Sequence, residues 1–346
     1  LNFTIQRCGS AEYSQMLVML NTAFGHSGET WFEENLSNCT PFEKDAQANE
    51  IANHFIAVSE HQVIGAVGAY PVDWAVSFGD KKYAVKAYGI GQVSCLPEYR
   101  NRGVMTGLLN AAASEMSARG CTVSFLGGDR WRYSHFGYDF GGNCAEFYFS
   151  QNRLGKSPDS HLSVCDRIAN KNDIPLLNSM YEQLPSYTKR DTHTWEKQMK
   201  RKDVTFLIGL QEEQTAYIGI KNKKCAECSG NPKGIISLLY AYMKKHEVSD
   251  IRVCYPFADD AAAQTLHQYC SWLNVSAFGL VAFHNADALF EQFTPVVKEQ
   301  LGSGIYNLNA EQRISVLRGL FGYLYNPQKT INLKPLCAWI APLDHI

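Results

Sequence analysis

Two periods of apolar residues run through the chain. Alternating or continuous apolar runs bounded by turn residues predict strands over residues 3–8, 54–59, 63–70, 72–78, 83–87 and 88–96. Hairpins are expected at Glu60-His61-Gln62 and at Gly79-Asp80. Spacing near 3.6 predicts a helix capped by Ser10 with the face Met16, Leu17, Leu20 and Phe24, and a short helix carrying Trp31, Phe32 and Leu36. A third helix starts at Val104 and presents Leu108, Leu109, Ala112 and Met116 before Gly120 stops it. A strand over residues 144–150 closes this first part.

A polar segment rich in Asn, Gly, Ser and Pro, residues 151–160, reads as a linker. The order of elements then returns. Strands are predicted over 162–168, 206–210, 217–221, 251–256 and 280–283, with helices over 172–181, 192–200, 232–245 and 259–269. This echo suggests a duplicated α/β (α+β) unit. Beyond residue 285 the pattern is helical, with Asn309 and Gln312 spaced as a capping box before Ile314, Leu317, Leu320 and Phe321. The division is therefore 1–150, 161–284 and 285–346. The chain end, residues 336–346, is apolar, carries Trp339 and is stiffened by Pro335 just before it and Pro342 within it. Such a tail is expected to dock on the body of the protein rather than fray.

One stretch carries candidate chemistry. The strand ending at Leu96 and Pro97 leads into Arg100-Asn101-Arg102-Gly103 and then a helix. A helix N-terminus offers amide protons without intrahelical partners and a partial positive charge, so a basic glycine turn there suits a phosphate. The repeat has no such turn. Its counterpart, Cys228-Ser229-Gly230-Asn231-Pro232-Lys233-Gly234, has one lysine and no R-x-x-G, and is expected not to bind the same ligand. Neither a nucleotide P-loop nor a dinucleotide-binding glycine pattern is present at the first turn.

Composition narrows the partners. The 346 residues suffice for two domains and an appendage, and a net charge of −2 argues against a nucleic-acid binder. No run of about 18 apolar residues exists, so no membrane span is expected, and the first residues lack a secretory pattern; the reading is cytoplasmic. Eleven cysteines at irregular spacing read as buried thiols, not a disulfide framework. Cys225-Ala226-Glu227-Cys228 is a C-x-x-C without a second pair for zinc, and no metal is expected.

With Arg100, Asn101, Arg102, Gly103 and Val104 in place, residues 88–138 resemble the acetyl-CoA binding core of the GNAT superfamily of N-acetyltransferases; Met105 departs from the small residue usual at the last position. Tyr133-Ser134-His135-Phe136-Gly137-Tyr138 is similar to the aromatic loop of the Eis-like (enhanced intracellular survival) acetyltransferases. The resemblance implies tandem GNAT folds with mixed, mainly antiparallel sheets, the first active and the second degenerate. It also implies a third, sterol-carrier-like region that is here shortened to helices and a tail. Acetyl-CoA would be the co-substrate, and the acceptor a small-molecule or lysine-like amine; a homo-oligomer is compatible with it.

The implied roles fall on specific residues. Backbone amides of Val93, Ser94 and Cys95, counted with the cofactor-binding residues, would donate to the thioester carbonyl oxygen. Arg100, Asn101, Arg102, Gly103, Val104, Met105 and Thr106 would hold the pyrophosphate. Tyr133 matches the general acid, and the α-carboxylate of Ile346 would be the general base. Tyr138 reads as structural, His135 as a surface residue and Cys95 as core rather than as an acetyl-carrying nucleophile. From position, Trp31, Phe32 and His345 are candidate walls of the acceptor pocket. Two other functions stay open from the sequence, a non-catalytic acyl-CoA sensor and a longer-chain N-acyltransferase.

Overall fold

The computed structural model describes residues 2–26, 31–36, 51–161, 165–211, 215–302, 305, 308–323, 331 and 333–344. His345 and Ile346 lie outside them. Strands β1 (Thr4–Arg7), β2 (His54–Ser59), β3 (Gln62–Phe78), β4 (Lys81–Cys95), β5 (Val123–Leu126) and β6 (Asp139–Gly141) come from the first part of the chain. Strands β7 (Cys144–Ser150), β8 (Cys165–Ile168), β9 (Tyr187–Thr188), β10 (Val204–Leu210), β11 (Ala216–Lys221), β12 (Lys224–Gly230), β13 (Asp250–Pro256), β14 (Trp272–Ser276) and β15 (Gly279–Phe283) follow.

The two sheets have the same strand plan. The first runs β1-β2-β3-β4-β5-β15-β6 and the second β8-β10-β11-β12-β13-β7-β14. In each, the fourth and fifth strands are parallel (β4 with β5, β12 with β13) and the other neighbours are antiparallel. The duplication thus lies in topology as well as in element order. The sixth position of each sheet is filled by the other half of the chain: β15 lies between β5 and β6, and β7 between β13 and β14. Segment boundaries at 150 and 284 therefore cut across this exchange. A strand from the other half gives each sheet hydrogen bonds that neither half could complete alone.

Several elements differ from the sequence reading for local reasons. The pairs 63–70 with 72–78, and 83–87 with 88–96, are single long strands, β3 and β4. Pro71 does not break β3 because it lies beyond the last β2 pair, His54↔Gly68, and before the short β9 pair at Trp74, so no ladder on that side asks for its missing proton. Strand β12 escapes a hydropathy reading because it carries Glu227, whose burial is made tolerable by Arg190. The 151–160 linker is not loose: Leu154 is buried, and the segment forms two short helical turns, Gln151–Leu154 and Pro158–His161.

The tail docks. Cys337 exchanges backbone hydrogen bonds with Ser77 of β3, and Trp339 is fully buried. The carbonyl of Trp339 accepts from the indole of Trp74 (3.0 Å) and from Ser186 Oγ (2.8 Å), so one residue of the tail is tied to the first sheet and to the segment before β9. A continuous core runs from Trp74 and Phe125 through Phe321 and Trp339 to Trp195 and Ile218.

Candidate active site

The site begins where β4 leaves β5. The two strands pair in parallel from Ala87↔Val123 to Ile90↔Leu126, after which β4 runs on to Cys95 paired, among the described residues, only with β3. There β4 also bulges. Between Ala66↔Ser94 and Gly68↔Gly91, the single residue Val67 faces both Gln92 and Val93. The extra residue bends the strand edge away from its neighbour, and Ser94 Oγ donates to the Gln92 carbonyl across the bulge (3.1 Å).

The turn follows directly. A 3₁₀ turn, Pro97–Tyr99, leads to Asn101 at φ 61° and Gly103 at φ 80°, and the helix Val104–Ala118 starts there. Gly103 is the N-cap and has no side chain to accept from the first-turn amides. Left-handed φ costs glycine nothing, and it leaves the amides of the first turn open. A cavity of about 510 Å³ lies against this turn and the end of β4. Its wall includes Val93, Ser94, Cys95, Tyr99, Arg100, Asn101, Gly103, Val104, Met105 and Thr106, together with Ala23, Phe24 and Arg132.

The family description "Acetyltransferase (GNAT) domain" matches residues 4–141. Over those residues the chain is similar to a GNAT acetyltransferase domain. No curated protein sequence matches the chain. Among solved structures, it is similar to a GCN5-related N-acetyltransferase from Anabaena variabilis, at 14% identity and a TM-score of 0.64 over 84% of this chain and 75% of that one. It is equally similar to a probable N-acyltransferase of unknown function from Enterococcus faecalis, at 14% identity and 0.64 over 84% and 75%. It is also similar to Eis1 from Mycobacterium abscessus, at 14% identity and 0.58 over 84% and 76%. These likenesses extend past residue 141 and cover the tandem fold.

The matched segment and its repeat differ at the turn. The repeat's helix, Pro232–Lys245, is capped by Asn231, whose side chain accepts from the amides of Lys233 (2.9 Å) and Gly234 (3.2 Å). Its own side chain occupies the place an anion would take, where Gly103 leaves that place open.

The sequence-read residues fall unevenly. Arg102 is exposed and is not on the cavity wall; Tyr99 of the turn itself is, with Ala23 and Phe24 from the end of the first helix and Arg132 from the turn before the aromatic loop, and these last three reach the site only through the tertiary fold. Cys95 is on the wall, and burial pushes its thiol up, which lowers its thiolate fraction and disfavours a covalent role. Tyr133 is buried at the end of the helical turn Arg130–Tyr133, next to the wall residue Arg132 but itself on neither cavity wall, its ring edge-on to Tyr138 at 6.2 Å, and burial raises its phenol above the ordinary tyrosine value. The Tyr138 hydroxyl is bound to Ser124 Oγ (2.6 Å), itself 2.7 Å from His284 Nε2, an interaction joining β5 to the residue that follows the exchanged β15. His135 is exposed. Phe32 is a core residue at 2% exposure, and Trp31 stacks on His26 at 3.7 Å; neither lines this cavity or the next.

A second cavity, about 650 Å³, opens beside β3. Tyr70, Pro71, Val72 and Asp73 form one wall; Glu182, Thr188, Lys189, Arg190, Asp191, Thr194, Gln198 and Asp344 form the rest. Sequence reading could not assemble it, since its residues come from β3, the repeat and the tail. Asp344 is held firmly here: Tyr181, Thr188 and Arg190 all donate to its carboxylate at 2.6–2.8 Å. Gln198 and Arg201 fix the preceding Leu343 carbonyl. Among the described residues no group of three or more His, Cys, Asp or Glu side chains is placed to hold a metal, and no helix is long and apolar enough to cross a membrane.

Proposed function

We propose that the protein is an acetyl-CoA dependent N-acetyltransferase acting on a primary amine by direct attack. The observation that carries this is the uncapped helix start at Gly103, opening into a cavity that continues along Val93, Ser94 and Cys95 where β4 parts from β5. Open first-turn amides with Arg100 beside them suit a pyrophosphate. Backbone amides along the bulged strand edge suit the thioester carbonyl, whose oxygen gains charge as the amine attacks.

The second cavity is the acceptor site in this reading, and its carboxylates, Asp73, Glu182 and Asp191, favour a cationic amine. The amine must lose a proton before its nitrogen attacks the acyl carbon, and the base is the α-carboxylate of Ile346. What supports that choice is the anchoring of Asp344, two residues earlier, in the cavity wall. As the carbon–sulfur bond breaks, the departing thiolate takes a proton from Tyr133, a phenol that is protonated at neutral pH and that burial raises further.

Calorimetric titration with coenzyme A, followed by a thiol-release assay with acetyl-CoA across a panel of amines, tests the proposal. Tight binding with amine-dependent release is expected. Binding without turnover on any amine would favour an acyl-CoA sensor, and faster release from myristoyl-CoA than from acetyl-CoA would favour a longer-chain acyltransferase.

A further inference from the structure

At the β4 bulge, Gln92 has φ 50°, a left-handed conformation that a residue with a side chain does not keep unless its surroundings impose it. A line of buried side chains imposes it here. The Tyr70 hydroxyl lies 2.6 Å from the Gln92 carboxamide and 2.7 Å from His54 Nε2, and His54 Nδ1 lies 3.2 Å from the Ile51 carbonyl. His54, Tyr70 and Gln92 are all more than nine-tenths buried. They reach across three adjacent strands, β2, β3 and β4.

The polarity of this line follows from its far end. A carbonyl only accepts, so His54 Nδ1 carries the proton, and in a neutral imidazole Nε2 is then the acceptor for the Tyr70 hydroxyl. Tyr70 oxygen is left to accept. Gln92 Nε2 is a buried donor with no partner among the described residues, and a half-turn of the carboxamide brings it onto that oxygen. The line then runs from Gln92 through Tyr70 and His54 to Ile51 in one direction. Gly68 fits the same arrangement, because a Cβ there would collide with the Gln92 carboxamide and the Tyr70 ring.

We propose that Gln92, braced by Tyr70 and His54, is the positioning residue that holds the bulge so that the Val93–Ser94 backbone faces the thioester. Gln92 itself is not on either cavity wall, so it acts through the backbone on which Val93 and Ser94 sit. Tyr70 lines the acceptor cavity, so the brace also ties the acceptor wall to the acyl site. The inference rests on reading the first cavity as the acetyl-CoA site.

The test compares Tyr70→Phe, Gln92→Ala and the double variant. Tyr70→Phe keeps the ring and its packing, so it reports on the brace even if Gln92→Ala folds poorly. Each single change is expected to lower kcat at saturating acetyl-CoA by about 10- to 100-fold, as a misplaced reacting group does. Coenzyme A Kd should move less than about twofold, since Arg100 and Gly103 are untouched, and the double variant should lose no more than the worse single one, because both changes release the same bulge. Unchanged kcat in the single variants, losses that multiply in the double variant, or an equal loss of coenzyme A affinity would overturn the brace while leaving the acetyltransferase reading intact. Wild-type protein that bound no coenzyme A would overturn both.

Discussion

Arg190 and Asp344 are joined by two hydrogen bonds of 2.8 Å, and the same guanidinium holds Glu227 on its other side at 2.8 and 2.5 Å. The Arg190 side chain is 1% exposed, lies 4.0 Å over the Tyr181 ring and 4.6 Å over that of Trp195, and is held in its charged form by the two carboxylates. One cation thereby fastens the tail to the second sheet. Burying it is costly, so the gain lies in keeping both carboxylates partnered. Arg190→Met would leave Glu227 and Asp344 buried without a counter-charge. Equilibrium urea unfolding is expected to show a loss of about 3–5 kcal/mol; a loss below about 1 kcal/mol would mean the pair does not fasten the tail.

The glycine turn makes a graded prediction for coenzyme A binding. Arg100→Ala should weaken it by about 1.5–3 kcal/mol, the worth of a charge-assisted contact. Arg102 stands off the cavity wall, so Arg102→Ala should lose clearly less. Gly103→Val places a β-branched side chain at φ 80° and costs about 1–2 kcal/mol of backbone strain before any ligand is added. Calorimetry on the three variants orders them.

For Tyr133 the expectation is a split. Tyr133→Phe should lower kcat by about 10²–10⁴-fold, the usual worth of a positioned acid, with coenzyme A affinity kept. Burial raises this phenol, so the group is in its acidic form below its ordinary value near 10 and loses the proton only above it. The wild-type kcat profile should accordingly show no falling limb from this residue until beyond about pH 10. A variant with wild-type turnover would move the acid elsewhere.

The chain end is tested by length. Deleting Ile346 and extending the chain by a short polar tail should both depress turnover by about 10²–10⁴-fold. Coenzyme A affinity should scarcely change, because the tail and the glycine turn border different cavities. Turnover that survives both changes would exclude the terminal carboxylate as base.

Much of the fold was readable because its signals are local. The helix from Val104, the Asn309 capping box with Gln312 and the helix Pro232–Lys245 follow from spacing and caps within a few residues. The same holds for the glycine turn, where strand, kink and helix start are consecutive in sequence. Strand β12 was not readable in this way, because a buried glutamate looks like a surface residue until its distant arginine is known.

A duplicated α/β chain, one turn chemically suited to phosphate and a tail too apolar to stay in water are legible along the chain. That β7 and β15 trade sheets, that Arg190 ties the tail to the second sheet, and that His54, Tyr70 and Gln92 meet across three strands emerges from the folded chain alone. The difference is one of range. Helices, caps and turns satisfy their hydrogen bonds between near neighbours, whereas buried polar groups take partners far off in sequence, as Arg190 takes Asp344, and no pattern along the chain announces which one.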